Sequence, residues 1–234
     1  MKMDAMEAAK KFISENYPDC RVAILAGSVV RGEETDQSDL DIVIIDDSII
    51  SPYRESVIAY QWMIETFVNT SESYRDFFEK DSKRGRPSLP QMCVEGIVFQ
   101  DDGLAKRIKV EAEKLLMQGP EPWTRKDIDV KRYMITDLLF DLEGSTNEKE
   151  DLFIVSSLSI EVHEFILRTN RQWVGNSKWI VRALRNYSPE LCEEFVKVYA
   201  SFYKNGDKQS FIEFVDRMLK PYGGRLFQGF SIGK

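Results

Sequence analysis

The chain has 234 residues, 43% of them hydrophobic and 30% charged, with a formal net charge of −7. That length accommodates two small domains with ordinary cores, and the acidic balance, without any long Lys/Arg block, argues against a nucleic-acid binder, which needs a basic stripe to displace counterions from phosphates. No apolar run approaches bilayer length and the opening MKMDAMEAAKKF lacks a signal-peptide core, so a cytoplasmic protein with no membrane segment is expected, and Cys20, Cys93, Cys192 and the single His163 suit neither a disulfide framework nor a zinc site.

In chain order, residues 4–16 set Met6, Phe12 and Ile13 among charged positions, which predicts a surface helix. It stops at Tyr17-Pro18, because the residue before a proline is pushed out of helical geometry. A strand over 21–26 follows, and then the stretch LAGSVVRGEETDQSDLDIVII over 25–45. Gly27-Ser28 is a turn without side-chain bulk, where backbone amides and the Ser28 hydroxyl can approach an anion. Residues 28–31 are predicted to open a short helix whose N-terminal dipole would add to that cradle. A second strand begins at Asp39. Asp39 and Asp41 project from one face of it, and two adjacent carboxylates are tolerated when a divalent cation neutralises them. The run 42–45 is apolar on both faces, as in an interior strand.

Two tightly joined strands are predicted over 54–60 and 62–68, the second carrying Met63, Glu65, Phe67 and Asn69 on one face. Helical character returns over 71–83, with Ser71 as its cap, followed by a basic loop at Arg84 and Arg86, a helical turn over 90–95, an extended piece over 97–99 and an amphipathic helix over 103–117. Gly119-Pro120-Glu121-Pro122 stops both helix and sheet. The expected division is therefore a first domain over 1–118, a linker over 119–123 and a second domain over 124–234. In the second, helices are predicted over 127–143, 151–169, 177–186, 189–204 and 210–221, which makes a bundle. The fold class is α+β.

The order and spacing of Gly27-Ser28, Arg31 and Asp39-x-Asp41 resemble the signature of the DNA polymerase β-like nucleotidyltransferase superfamily, and most closely its bacterial branch of antibiotic, kanamycin-type nucleotidyltransferases. The resemblance implies an N-terminal nucleotidyltransferase domain with a mixed β-sheet flanked by helices, and a C-terminal helical bundle that forms much of an acceptor cleft. It also implies that Asp39, Asp41 and a third acid hold two Mg²⁺ ions, that Gly27, Ser28 and Arg31 bind ATP or another nucleoside triphosphate, and that a nucleoside monophosphate passes to a hydroxyl of a small acceptor. Net negative charge leans toward a cationic acceptor such as an aminoglycoside. Glu65 is the expected third carboxylate, since a strand beside Asp39 and Asp41 brings its side chain across one inter-strand spacing, whereas Glu95 suits a helix end before Gly96.

Other residues keep two readings. Arg31 holds phosphate through its planar fork or bridges to Glu33 or Glu34. Lys178, in WVGNSKW, contacts phosphate or acceptor, or is a lysine snorkelling past core tryptophans. A general base from the helical half has no motif to mark it, and Asp137, Asp141, Glu143, Glu161 and Glu164 are all candidates. Two rival functions are a non-catalytic or protein-modifying partner in a toxin–antitoxin pair and a glycosyltransferase using Asp-x-Asp; neither accounts for the whole pattern. Acceptor, base preference and oligomeric state stay open.

Overall fold

The structure is a computed structural model and describes residues 2–233. The chain divides into two compact units, Met1–Pro120 and Glu121–Lys234.

The first unit is a mixed five-stranded sheet between helical layers. Helix α1 (Ala5–Asn16) starts where the Asp4 carboxylate accepts from the Met6 and Glu7 amides, and it buries Ala8, Ala9, Phe12 and Ile13. Strands β1 (Val22–Ala26), β2 (Leu40–Ile45), β3 (Tyr53–Ala59), β4 (Trp62–Asn69) and β5 (Ile97–Asp101) lie in the order β3-β4-β2-β1-β5. Only β2 and β4 pair in parallel; the other neighbours are antiparallel. The turn that makes this possible is Tyr60-Gln61, with φ of 56° and 63°, the two left-handed residues of a type I′ hairpin between β3 and β4. Because β3 occupies the edge, its hairpin returns β4 alongside β2 in the parallel sense.

Side-chain alternation sorts the core into two halves. Ala23, Leu25, Leu40, Ile42, Ile44 and Ile64 pack with α1. Val22, Ile24, Val43 and Ile45 face the opposite way, onto α2 (Ser73–Arg84), α3 (Ser88–Glu95) and α4 (Ala105–Gln118), through Tyr74, Phe78, Leu89, Cys93, Ile108 and Ala112. A strand covered on both sides has no polar face to spare, which is why 42–45 reads as continuous hydrophobe. One expectation is corrected here: Ser71 does not cap α2. Its amide donates to Asp47 (2.7 Å), and the helix entry is held instead by Thr70 and Ser73, each amide donating to the other's hydroxyl at 2.8 and 3.0 Å.

The second unit contains α5 (Arg125–Gly144), α6 (Glu148–Thr169), α7 (Trp179–Tyr187), α8 (Pro189–Asn205) and α9 (Lys208–Leu219), followed by a single 3₁₀ turn. Thr124 and Asp127 form a reciprocal capping box at the start of α5. Leu139, Leu158, Phe165, Leu184, Phe211 and Phe214 are fully or almost fully buried in its core. His163 is buried as well, with its ring nitrogens 3.1 and 3.2 Å from the carbonyls of Ser159 and Gly175, a structural use of the single histidine. All three cysteines are buried and free. Among the described residues no helix is long and apolar enough to cross a membrane.

Gly96 joins α3 to β5 where nothing larger fits. A Cβ there would stand 2.3 Å from Ile24 Cγ2, 2.6 Å from the Met92 carbonyl and 2.8 Å from the Leu25 carbonyl. Two of those atoms are backbone and cannot swing aside. Gly96→Ala is therefore expected to destabilise the first unit by about 1–3 kcal/mol through overpacking, measured as a shifted urea midpoint; an unchanged midpoint would mean that α3 slides freely over β1.

Candidate active site

The site is assembled by strand register. In the parallel pairing of β2 with β4, Asp41 stands opposite Glu65, and Asp39 lies just ahead of the strand. One carboxylate oxygen from each of Asp39, Asp41 and Glu65 can be chosen so that all lie within 4.8 Å of one another, and all three residues are half-buried. Asp41 shares the sheet face of Val43 and Ile45, so the cluster sits at the edge of the apolar layer under α2, α3 and α4. Burial is the main reason that the Asp41 carboxyl is pushed up to about 6, with the charges of Asp39 and Glu65 adding to the effect and the guanidinium groups of Arg54 and Arg31 opposing it.

The glycine-serine turn closes over this cluster. Ala26 pairs with Asp41 across β1 and β2, and Gly27 follows at φ +85°. A Cβ at Gly27 would lie 2.3 Å from Asp41 Oδ2. Glycine is thus required twice, by the backbone angle and by the carboxylate beneath it. The expected helix over 28–31 does not form. The Gly32 amide bonds the Val29 carbonyl and the Glu33 amide bonds the Ser28 carbonyl (2.9 Å), while Gly32 has φ +66°, so a helix-terminating motif ends the first turn as soon as it is made. No helix dipole is available there. Ser28 donates to Ser38 Oγ at 3.1 Å, and Ser38 accepts the Thr35 amide at 2.8 Å, which ties the turn to the loop before Asp39.

Arg31 bonds Glu33 Oε2 at 3.1 Å and Glu95 Oε1 at 2.5 Å. Glu95 ends α3, also accepts from Gln91, and is only 15% exposed. The two glutamates weighed as third carboxylate therefore part company: Glu65 joins Asp39 and Asp41, and Glu95 joins Arg31. Glu65 is in turn bonded by Arg54 from β3 and, at 3.4 Å, by Ser56. Lys178 belongs to the other unit, exposed just before α7.

Sequence reasoning missed Arg54 and Ser38. Arg54 was within reach: a two-residue turn at Tyr60-Gln61 fixes Ser56 opposite Glu65, and Arg54 is the next residue on that face. Ser38 carried no signal, since its role depends on the fold of the loop. The carboxylate set is one that a hard divalent cation accepts, with three anionic oxygen donors converging and no nitrogen or sulfur among them.

The carboxylates on the parallel neighbours β2 and β4, beside a glycine-serine turn, are the arrangement that the resemblance of the sequence to nucleotidyltransferases implies. Residues 6–121 match the model of the nucleotidyltransferase domain family, and the N-terminal unit of this chain is a nucleotidyltransferase domain. The enzyme class is accordingly that of a nucleotidyltransferase. The fold is shared with a solved structure, a nucleotidyltransferase-like protein from Exiguobacterium sibiricum 255-15, at a TM-score of 0.52 and 12% identity, covering 93% of this chain and 75% of that one. No curated protein matches the sequence.

Asp41 yields a test of the electrostatics. Its native carboxyl titrates at about 6 against 3.8 for the ordinary group. The native state therefore holds this proton where the unfolded chain has lost it, and stability falls as pH rises between these values, then levels off. In metal-free protein at pH 7, Asp41→Asn should raise stability by up to about 3 kcal/mol, a gain that vanishes below pH 4. Thermal melts across that range check it; a variant less stable than wild type at pH 7 would mean that Asp41 is held by favourable interactions.

Proposed function

We propose that this protein is a Mg²⁺-dependent enzyme that transfers a nucleoside monophosphate, from ATP or another nucleoside triphosphate, to a hydroxyl of a small molecule, with aminoglycoside-like cations as the leading acceptor class. The observation that carries this reading is the convergence of Asp39, Asp41 and Glu65 within 4.8 Å. Asp39, Asp41 and Glu65 hold the cations. The chemistry that a bound Mg²⁺ pair supplies is to lower the pKa of the attacking hydroxyl and to stabilise the departing pyrophosphate oxygen.

The chain's own groups do the rest. Gly27, lacking a side chain above Asp41, lets a phosphate come close to the carboxylates, and Ser28 offers a hydroxyl donor beside it. Arg31 binds the triphosphate tail and exchanges Glu33 and Glu95 for phosphate oxygens, which match its planar fork at least as well. In the division of labour, residues 1–118 form the catalytic domain, 119–123 the linker and 124–234 the acceptor-binding domain, to which the exposed Lys178 belongs. That all three carboxylates are present favours this reading over a non-catalytic partner in a toxin–antitoxin pair.

The direct test is a label-transfer screen with α-labelled nucleotides, Mg²⁺ and a panel of aminoglycosides, other small hydroxyl compounds and proteins. Label is expected on a small molecule, and Asp39→Asn and Glu65→Gln are expected to abolish it while retaining cooperative melts; label on protein alone would move the assignment to protein modification.

Ser28→Ala and Arg31→Ala should each weaken nucleotide binding by on the order of 1–3 kcal/mol, the range of a charge-assisted hydrogen bond. Glu95→Gln should strengthen it, because Arg31 loses a competing anion, and should leave the Mg²⁺ requirement of turnover unchanged. Calorimetry with a non-transferable ATP analogue reads both effects, and nucleotide affinity indifferent to all three substitutions would move the phosphate site away from the turn.

A further inference from the structure

Glu65 is reached from behind as well as from the cluster. It sits on β4, and β3 is paired outside it with Ser56 opposite Glu65 and Arg54 opposite Phe67. Arg54 therefore lies diagonally across from Glu65 on the same sheet face, within the reach of a long side chain. Its guanidinium stacks on the Phe67 ring, 4.7 Å from the centroid, and from that seat Nη2 donates to Glu65 Oε2. The other oxygen, Oε1, accepts from the Ser56 hydroxyl at a longer 3.4 Å. The carboxylate is thus gripped firmly at one oxygen and loosely at the other. The aromatic seat matters because it holds the guanidinium on a side chain that is otherwise 58% exposed and on an edge strand.

We propose that Arg54 is the positioning residue of the carboxylate cluster, fixing the orientation of Glu65 so that the site binds a divalent cation more tightly than three free-swinging carboxylates would. The inference rests on the reading of Asp39, Asp41 and Glu65 as a cation site. Two physical effects oppose each other at Arg54. Its positive charge repels an incoming cation, and its hydrogen bond orders a ligand. Water around the exposed guanidinium weakens the first effect by its high dielectric, whereas the loss of a hydrogen-bonding partner behind a ligating group costs about 10–100-fold in metal affinity. Ordering wins, and the sign of the effect separates the two.

The experiment is a titration with Mn²⁺ alone, followed by the electron paramagnetic resonance of the free ion, on wild type, Asp41→Asn, Arg54→Ala and Arg54→Gln, each checked by thermal melting. Wild type should bind, Asp41→Asn should not, and Arg54→Ala should bind about tenfold more weakly, with Arg54→Gln, shorter and uncharged, shifted in the same direction. A parallel rise in the Mg²⁺ needed for half-maximal label transfer is expected. An ion pair that merely ties β3 to β4 would lower the melting temperature and leave Mn²⁺ affinity alone. Affinity equal to or above that of wild type in a folded Arg54 variant, with Asp41→Asn still failing to bind, overturns this inference and spares the cation site; a wild type that takes up no Mn²⁺ overturns both.

Discussion

Like-charge repulsion is the constraint around which the first unit is built. One oxygen from each of Asp39, Asp41 and Glu65 is held within 4.8 Å of the others at the margin of an apolar layer, where the charges of Asp39 and Glu65 make ionisation of Asp41 harder. Only a stiff frame keeps such groups together. Here the frame is the pairing of β2 with β4, in which a slip of one residue would put Asp41 and Glu65 on opposite faces of the sheet. The same repulsion leaves a surplus of negative charge. Around the site five carboxylates, Glu33, Asp39, Asp41, Glu65 and Glu95, share the guanidinium groups of Arg31 and Arg54.

Much of this was legible in the sequence because it is local. The parity of Asp39 and Asp41, the two-sided apolar run after them and the alternation around Glu65 each follow from strand geometry alone, and a strand of seven or eight residues leaves little room to misread its faces. The helices of the second unit were legible from their periodicity. What was not legible depends on how loops close. The segment after Ser28 has helical spacing, but Gly32 takes a left-handed conformation that stops the helix after one turn, and a glycine announces that only once the chain around it is known. Ser71 looks like a cap, but its amide is claimed by Asp47, 24 residues earlier, a long-range bond that no local pattern reveals.

Glu65 and Glu95 carry the same functional group in comparably apolar surroundings, and the fold separates them by backbone alone. Glu65 inherits its position from a register fixed along the length of β4. Glu95 inherits its position from the end of α3, pressed against β1 at Gly96, which sets its carboxylate against Arg31 and not against the aspartates. One acid is thereby available to a cation and the other moderates the arginine. Composition cannot make that distinction.

In the second unit the acids that competed as a general base are sorted by the same reasoning. Glu161 and Glu164 converge on Lys131 at 2.6 and 2.7 Å, and Glu143 forms a two-pronged pair with Arg225, which also grips Asp216. Each of these carboxylates gives at least one oxygen to a cation, Lys131 bracing α5 against α6 and Arg225 securing the C-terminal segment. A group that must accept a proton from an acceptor hydroxyl needs an oxygen directed outward. Asp141 differs from them: it lines a concave surface of about 580 Å³ together with Phe140, Glu150 and Phe153, where aromatic edges and carboxylates stand side by side. The bundle thus commits Glu143, Glu161 and Glu164 to holding itself together, while Asp141 and Glu150 share their concave surface with Phe140 and Phe153.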